Sequence, residues 1–248
     1  MNLTDSSFWD DFWQATTLPA VVDRNVSHER CLSDTFVRHL PHDSAMRLFE
    51  IGCAPGRWLV WFAQTMGCQV AGCDLSPTGL SKTHQNLALT GVAADLYAGD
   101  ILTLDIPSHA FDLVLSLGVV EHFADPEPVL ARHVELLRVG GLLVLEVPNL
   151  TGLNYWLMRA TRQDDLLRHH NLRIMNRTWF QNMAAKFGLR TRFLGYVGSF
   201  EPALFELRGR PPWVKAIHKI LRTLRSVSGA DRVNSSLFSA YLVGIFET

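Results

Sequence analysis

Leu48-Phe49-Glu50-Ile51-Gly52-Cys53-Ala54-Pro55-Gly56-Arg57 reads as a buried β-strand bearing a carboxylate, then a glycine turn, then the start of a helix. A second apolar strand, Gln69-Val70-Ala71-Gly72-Cys73-Asp74, ends on another acid 24 positions after Glu50. Strand-end acids on either side of a glycine turn suit an adenosine-type ligand at the carboxyl edge of a parallel sheet. The pattern continues outward from this stretch. A helix follows from Arg57 to Met66. Ser76-Pro77 supplies an N-cap with proline in the first turn, and Gly91 is a helix stop. Further strands are expected at Asp95–Ala98, Phe111–Ser116 and Leu142–Val147, with a helix opening at Asp125-Pro126, running to Arg138 and stopping at Gly140-Gly141. Near-continuous apolar strands joined by helices predict a parallel sheet covered on both faces.

After Asn149 the pattern changes. Residues 151–175 are mixed, with Tyr155 and Trp156 beside Arg159, Arg162, Asp164, Asp165, Arg168, His169 and His170. Thr178-x-x-Gln181 fits a capping box for a helix ending at Gly188. Leu189–Tyr196 is a sixth strand. Phe238–Phe246, reached by a long connection, is expected to return antiparallel. The fold class predicted is therefore α/β, Rossmann-like and doubly wound: a mostly parallel seven-stranded sheet with an antiparallel last strand. One domain is expected, its core at about 40–149 and 177–248, with accessory segments at 1–35, 150–176 and 197–236.

Composition narrows the field. The 248 residues are 48% hydrophobic, which excludes a largely disordered chain. The net charge of −1 gives no global field for nucleic acid. Charge is nevertheless uneven: Phe205 to Arg232 holds seven Lys/Arg against Glu206 and Asp231. Neither a secretory leader nor a membrane span is expected, since no apolar run approaches the roughly 20 residues that cross a bilayer. Cys31, Cys53, Cys68 and Cys73 have neither C-x-x-C nor zinc-site spacing, so reduced thiols in a cytoplasmic protein are expected.

Taken in order, the motifs resemble the class I S-adenosylmethionine-dependent methyltransferases, particularly the ubiquinone-type small-molecule branch. Glu50-x-Gly52-x-Ala54-x-Gly56 is similar to the first motif, with Ala54 where the family often has a second glycine. Asp74 is similar to the acid ending strand two, Ala98-Gly99-Asp100-Ile101 to the adenine-side motif, and Phe111-Asp112 through Glu121-His122-Phe123 to the strand-four motif. Leu137 through Asn149 is similar to the strand-five signature. The resemblance implies S-adenosyl-L-methionine as cofactor and S-adenosyl-L-homocysteine as product. It implies cofactor contacts from Glu50, Gly52, Ala54, Gly56, Asp74, Leu75, Asp100, Ile101 and Leu117. Asp74 would accept from the ribose hydroxyls and Asp100 from the adenine amino group, with Ile101 against the ring. Glu50 would hold the loop or reach the amino-acid end of the ligand.

Such a transfer is an in-line displacement that mainly needs alignment and exclusion of water. No metal is required and the sequence shows no clear ligand cluster. A hydroxyl or protonated nitrogen acceptor needs a base. His122, at the rim after strand four, is the first candidate; a packed histidine bonded to backbone is the competing reading. His169 and His170 come next, in the 150–176 segment expected to roof the acceptor pocket, against a reading as surface residues. Phe8-Trp9-x-x-Phe12-Trp13 has the spacing of one helical face, able to pack on the core and to close over the cofactor. Trp213–Ser226 places Val214, Ile217, Leu221 and Leu224 at helical spacing between basic residues. A docked helix competes there with contact to an anionic substrate or a membrane surface.

The expected activity is methyl transfer to oxygen or nitrogen of a small molecule, with a loose similarity to polysaccharide and secondary-metabolite enzymes. A nicotinamide dehydrogenase fits the acid after strand two but not the loop, which lacks G-x-G-x-x-G spacing. A non-catalytic binding module would keep the same fold, although intact cofactor motifs weigh against it. An RNA or protein methyltransferase would share those motifs, but the near-zero net charge weighs against it. No nucleic-acid partner is expected.

Overall fold

The computed structural model describes residues 3–200, 211–228 and 233–248. Seven strands form one sheet: β1 (Arg47–Ile51), β2 (Gln69–Asp74), β3 (Ala94–Ala98), β4 (Phe111–Leu117), β5 (Leu137–Pro148), β6 (Arg190–Phe200) and β7 (Ser239–Glu247). Their order is β3-β2-β1-β4-β5-β7-β6. Neighbours from β3 through β5 are parallel, and β7 runs antiparallel between β5 and β6, as expected for the last strand. Strand order reverses between β1 and β4, which opens a crevice at their carboxyl ends, the usual ligand position in an open α/β sheet.

The helices are α1 (Ser6–Gln14), α2 (Ser27–His39), α3 (Arg57–Trp61), α4 (Pro77–Thr90), α5 (Glu127–Leu136), α6 (Gly152–Ala160), α7 (Asp164–Arg168), α8 (Arg177–Lys186) and α9 (Pro212–Ser228). Strand alternation divides the core between the two faces. Phe49, Ile51, Val114, Leu143 and Leu145 pack with Leu130 of α5 and Phe180 of α8. Leu48, Leu113, Leu115 and Val144 pack with Phe36 of α2, Leu59 of α3 and Leu80 of α4. Both faces are thus apolar, which is why these strands read as continuous hydrophobic runs.

Local chemistry sets the helix ends. The Ser76 hydroxyl accepts from the Gly79 N–H at 2.8 Å and Pro77 opens α4, while Gly91 closes it in the left-handed conformation. Three expectations are corrected. The helix placed up to Arg138 ends at Leu136, because Leu137 leaves the helix to pair with Phe111 and begins β5. The start of α8 is not capped by Thr178. Asn176 caps it, its side chain accepting from the Trp179 N–H at 2.9 Å, and asparagine is the stronger cap. The helix begun at Arg57 keeps α-helical hydrogen bonding only to Trp61 and continues as a π-helical turn, Phe62–Met66. All four cysteines are free. Among the described residues no helix is long and apolar enough to cross a membrane. The basic stretch Phe205 to Arg232 lies partly outside the described residues.

Candidate active site

A cavity of about 410 Å³ occupies the crevice above β1, β2 and β4. Its floor is built by the turn after β1. Gly52 is left-handed (φ 73°), and a Cβ there would come within 2.6 Å of the Val119 side chain. The N–H groups of Gly52 and Cys53 both donate to the Cys73 carbonyl, at 2.9 and 3.0 Å, tying the turn to β2. Ala54 then donates to the Asp74 carboxylate at 2.9 Å, and Ser76 donates to its other oxygen at 2.9 Å. Asp74 therefore bridges the glycine turn and the start of α4 while lining the cavity. Burial raises its pKa against those two hydrogen bonds. A carboxylate has about four lone-pair sites, so acceptor capacity remains for a ligand.

Gly52, Ala54, Asp74, Leu75, Asp100, Ile101 and Leu117 all line the cavity. Glu50 and Gly56 do not. Glu50 is buried beneath the turn, with Oε2 unpartnered among the described residues. Burial, then the charge of Asp74, pushes its pKa well above the carboxylate range, opposed by a hydrogen bond from the Leu59 backbone. Its place is under the first turn of α3, where the Leu59 backbone hydrogen-bonds to it. Gly56 caps α3 in the left-handed region (φ 85°), and a Cβ there would sit 2.9 Å from Thr83 of α4. It permits close packing of α3 on α4.

The three candidate histidines separate in the structure. His122 and His170 line the cavity with ring centroids 4.5 Å apart. His169 turns away and packs on Phe8, its ring centroid 4.8 Å from that ring. Its carbonyl still matters, because His122 Nδ1 lies 2.7 Å from it. A carbonyl only accepts, so Nδ1 carries the proton and Nε2 of the neutral ring keeps its lone pair. Burial, then His170, pushes the His122 pKa down to about 3. His170 Nδ1 is likewise 2.8 Å from the Leu166 carbonyl, and burial lowers its pKa.

Two carboxylates complete the site. Glu121 is 1% exposed and Glu146 is buried on β5; both line the cavity. Glu121 Oε1 is 3.8 Å from His122 Nε2. Burial pushes the Glu121 pKa up to about 8. Burial, then the charge of Glu121, carries Glu146 well above its usual range. Glu121 Oε2 and Glu146 Oε1 have no partner among the described residues. Glu121, His122 and His170 each bring one donor atom within 4.8 Å of the others, a cluster that sequence spacing does not reveal. A carboxylate with two imidazoles is also a donor set that a transition-metal ion can use. Glu146 had a visible signal: it is the one acid inside the run Leu142-Leu143-Val144-Leu145-Glu146-Val147.

The roof is α1. Phe8, Trp9, Phe12 and Trp13 line the cavity from above. Trp9 meets the His122 ring edge-on with centroids 4.9 Å apart. The helix is held down at several points. The Leu3 N–H donates to the His122 carbonyl at 2.7 Å. The Ser6 hydroxyl donates to the Leu75 carbonyl at 3.2 Å. Asp10 accepts from the Ser76 hydroxyl at 2.5 Å and from the Thr78 N–H at 2.9 Å. The aromatic spacing of the N-terminus is thus a cavity-facing stripe.

The cavity suits a ligand with hydroxyl and amino donors flanking an apolar ring: acceptors at Asp74 and Asp100, with Leu75 and Ile101 between them. A methyltransferase-domain family model matches residues 49–145, the span of this glycine turn through β5. That span carries a methyltransferase domain, similar to those of S-adenosylmethionine-dependent methyltransferases. The chain is 28% identical over 179 residues to a ubiquinone biosynthesis O-methyltransferase of Azorhizobium caulinodans, covering 64% of this chain and 69% of that one. The corresponding Rhodopseudomonas palustris protein is 29% identical over 169 residues, covering 60% and 61%. Among solved structures, an S-adenosylmethionine-dependent methyltransferase from Archaeoglobus fulgidus aligns over 98% of this chain and 99% of its own, with a TM-score of 0.59 and 16% identity. The [4+2]-cyclase SpnF aligns over 94% and 84%, with a TM-score of 0.63 and 15% identity. At such identities the likeness is one of fold.

Proposed function

We propose that the enzyme transfers the methyl group to an oxygen of a small, ring-bearing acceptor, with His122 receiving the acceptor's proton. The observation that carries this reading is the fixed tautomer of His122. Its Nδ1–H is committed to the His169 carbonyl, and the ring lies in the wall of an apolar cavity. When bound, S-adenosylmethionine supplies a methyl group already activated on sulfur. In our assignment Asp74 accepts from the ribose hydroxyls and Asp100 from the adenine amino group. Leu75 and Ile101 hold the ring, and the backbone at Gly52, Ala54 and Leu117 faces the amino-acid end. His122 Nε2 would then take the hydroxyl proton as the oxygen–carbon bond forms and the methyl–sulfur bond breaks, with S-adenosylhomocysteine as the leaving group.

A lone imidazole with a pKa near 3 is a weak base. Glu121, 3.8 Å away, corrects this when ionised, because its charge raises the proton affinity of the ring. The two groups titrate as a pair, and the pair gains basic capacity as Glu121 loses its proton near pH 8. The aromatic roof of Phe8, Trp9, Phe12 and Trp13 favours a planar, apolar acceptor over a sugar, which supports a metabolite-biosynthesis setting. The oxygen preference is supported by the named activity of the relatives. Free thiols support a cytoplasmic location.

The test is turnover of S-adenosylmethionine with hydroxybenzoates and dihydroxybenzoates against matched aminobenzoates, reading S-adenosylhomocysteine and methylated product by mass spectrometry. Methylated hydroxyl products are expected, and His122→Gln should lower kcat by ~10²-fold or more with cofactor affinity little changed. Methylation confined to the amines would overturn the oxygen assignment.

A further inference from the structure

None of the described side chains of α9 lines the cavity, and few of them enter the core. Of its described side chains only Val214 is buried; His218 and Leu221, on the same face, are half-buried. A second apolar stripe stays in solvent: Trp213 (44% exposed), Ile217, Ile220 (57%) and Leu224 (55%), spaced four, three and four residues apart. That spacing is one continuous line along a helix. Of the four residues noted at helical spacing, Val214 and Leu221 turn toward the domain, whereas Ile217 and Leu224 lie in the exposed stripe. The charges are one-sided as well. Lys215, Lys219, Arg222 and Arg225 are the charged residues of the helix, and no acid occurs in it. The chain as a whole carries only −1, so this concentration of positive charge is local.

We propose that α9 is a docking surface for an anionic phospholipid bilayer. An exposed apolar stripe ending in a tryptophan, on a 17-residue helix whose charges are all basic, is the composition of a helix lying in a membrane interface. The stripe enters the acyl boundary and the lysine and arginine stems extend their charges to the headgroups. Charge complementarity selects this occupant. A second copy would bring an identical all-basic helix against the first, and the two would repel. Docking of this kind is independent of which acceptor is methylated.

The experiment is co-sedimentation of the full chain with vesicles of phosphatidylcholine containing 30% phosphatidylglycerol, compared with phosphatidylcholine alone. Binding at least tenfold tighter to the anionic vesicles is expected, weakened by 0.5 M salt. Ile220→Asp/Leu224→Asp and Lys215→Glu/Lys219→Glu/Arg222→Glu should each reduce it at least tenfold. Both should keep wild-type affinity for S-adenosylhomocysteine, which shows that the fold survives. Equal binding to the two vesicle types, or no loss in the variants, would overturn the proposal. So would a vesicle-free dimer that Ile220→Asp/Leu224→Asp dissociates, which would make a second copy the occupant.

Discussion

Replacing Glu121 by Gln probes the buried dyad directly. Glu121 is 1% exposed and its pKa stands at about 8 against an ordinary 4.5. Between those values the folded chain holds a proton that the unfolded chain has released, so stability falls as pH rises through that window. At ~1.36 kcal/mol per pH unit, this group costs up to ~5 kcal/mol by pH 8 and above. Gln is nearly isosteric and has no charge to bury. Below pH 4.5 the two proteins should be close in stability, and the difference should move in favour of Glu121→Gln by several kcal/mol towards pH 9. Glu50 is present in both and its contribution cancels, whereas Glu146 loses the repulsion of Glu121 in the variant, which moves the difference in the same direction. The assay is urea denaturation of cofactor-free protein at pH 5, 7 and 9. Activity should move the opposite way: the wild-type rate climbs as Glu121 ionises, whereas the variant loses that climb. Parallel stability profiles from pH 5 to 9 would refute the claim that Glu121 folds as a neutral acid, and the role of the dyad with it.

Four further outcomes are expected. Asp74→Ala should weaken S-adenosylhomocysteine binding at least ~tenfold by calorimetry, since a charged acceptor is lost; unchanged affinity would place the sugar elsewhere. Gly52→Ala should destabilise the fold by ~1–3 kcal/mol and impair cofactor binding, with Val119→Ala restoring part of the loss because it removes the 2.6 Å contact but not the left-handed backbone; equal melting temperatures for the single and double variants would show that the contact is irrelevant. Ser116→Ala should cost ~1–3 kcal/mol in urea denaturation, because the Ser116 hydroxyl donates at 2.9 Å to Nε2 of the buried His133. At low pH, His122 and His133, with pKa values pushed down to about 3 and about 4, refuse protons that the unfolded chain accepts below 6.5. Stability should therefore decline as pH falls from 6.5 towards 3; a flat acid limb would mean these rings are solvated.

The fold was legible where one residue type carries one constraint. Leu48, Phe49 and Ile51 alternate between two helix-covered faces, so the run is apolar apart from Glu50, and Asp74 and Gly52 mark a turn that few other residues can make. Ser76-Pro77 caps its helix as its chemistry requires. Boundaries failed where tertiary pairing competed with local preference: Leu137 looked helical by continuity with Leu136 but had a partner in Phe111. Legibility in the site fell with distance along the chain. Nothing in His169-His170 says that one ring turns inward while its neighbour contributes a carbonyl to His122, because that depends on how the chain after α7 meets Glu121 and His122. The outward stripe of α9 was hidden for a similar reason. Spacing identifies a face but not which face finds a partner.

Asp10 has a consequence for the order of events. Its carboxylate binds Ser76 and Thr78, two and four residues beyond Asp74, and Ser6 binds Leu75, which lies between Asp74 and Ser76. The roof is therefore fastened to the same turn to which we assign the ligand's sugar. On that assignment, exchange of the cofactor is expected to loosen those fastenings, and a filled sugar site to steady the turn on which they re-form. Turnover is expected to follow a compulsory sequence, cofactor first, with the spent cofactor leaving last and slowly. Loosening Asp10 should then quicken release and raise the multiple-turnover rate while leaving a single methyl transfer no faster.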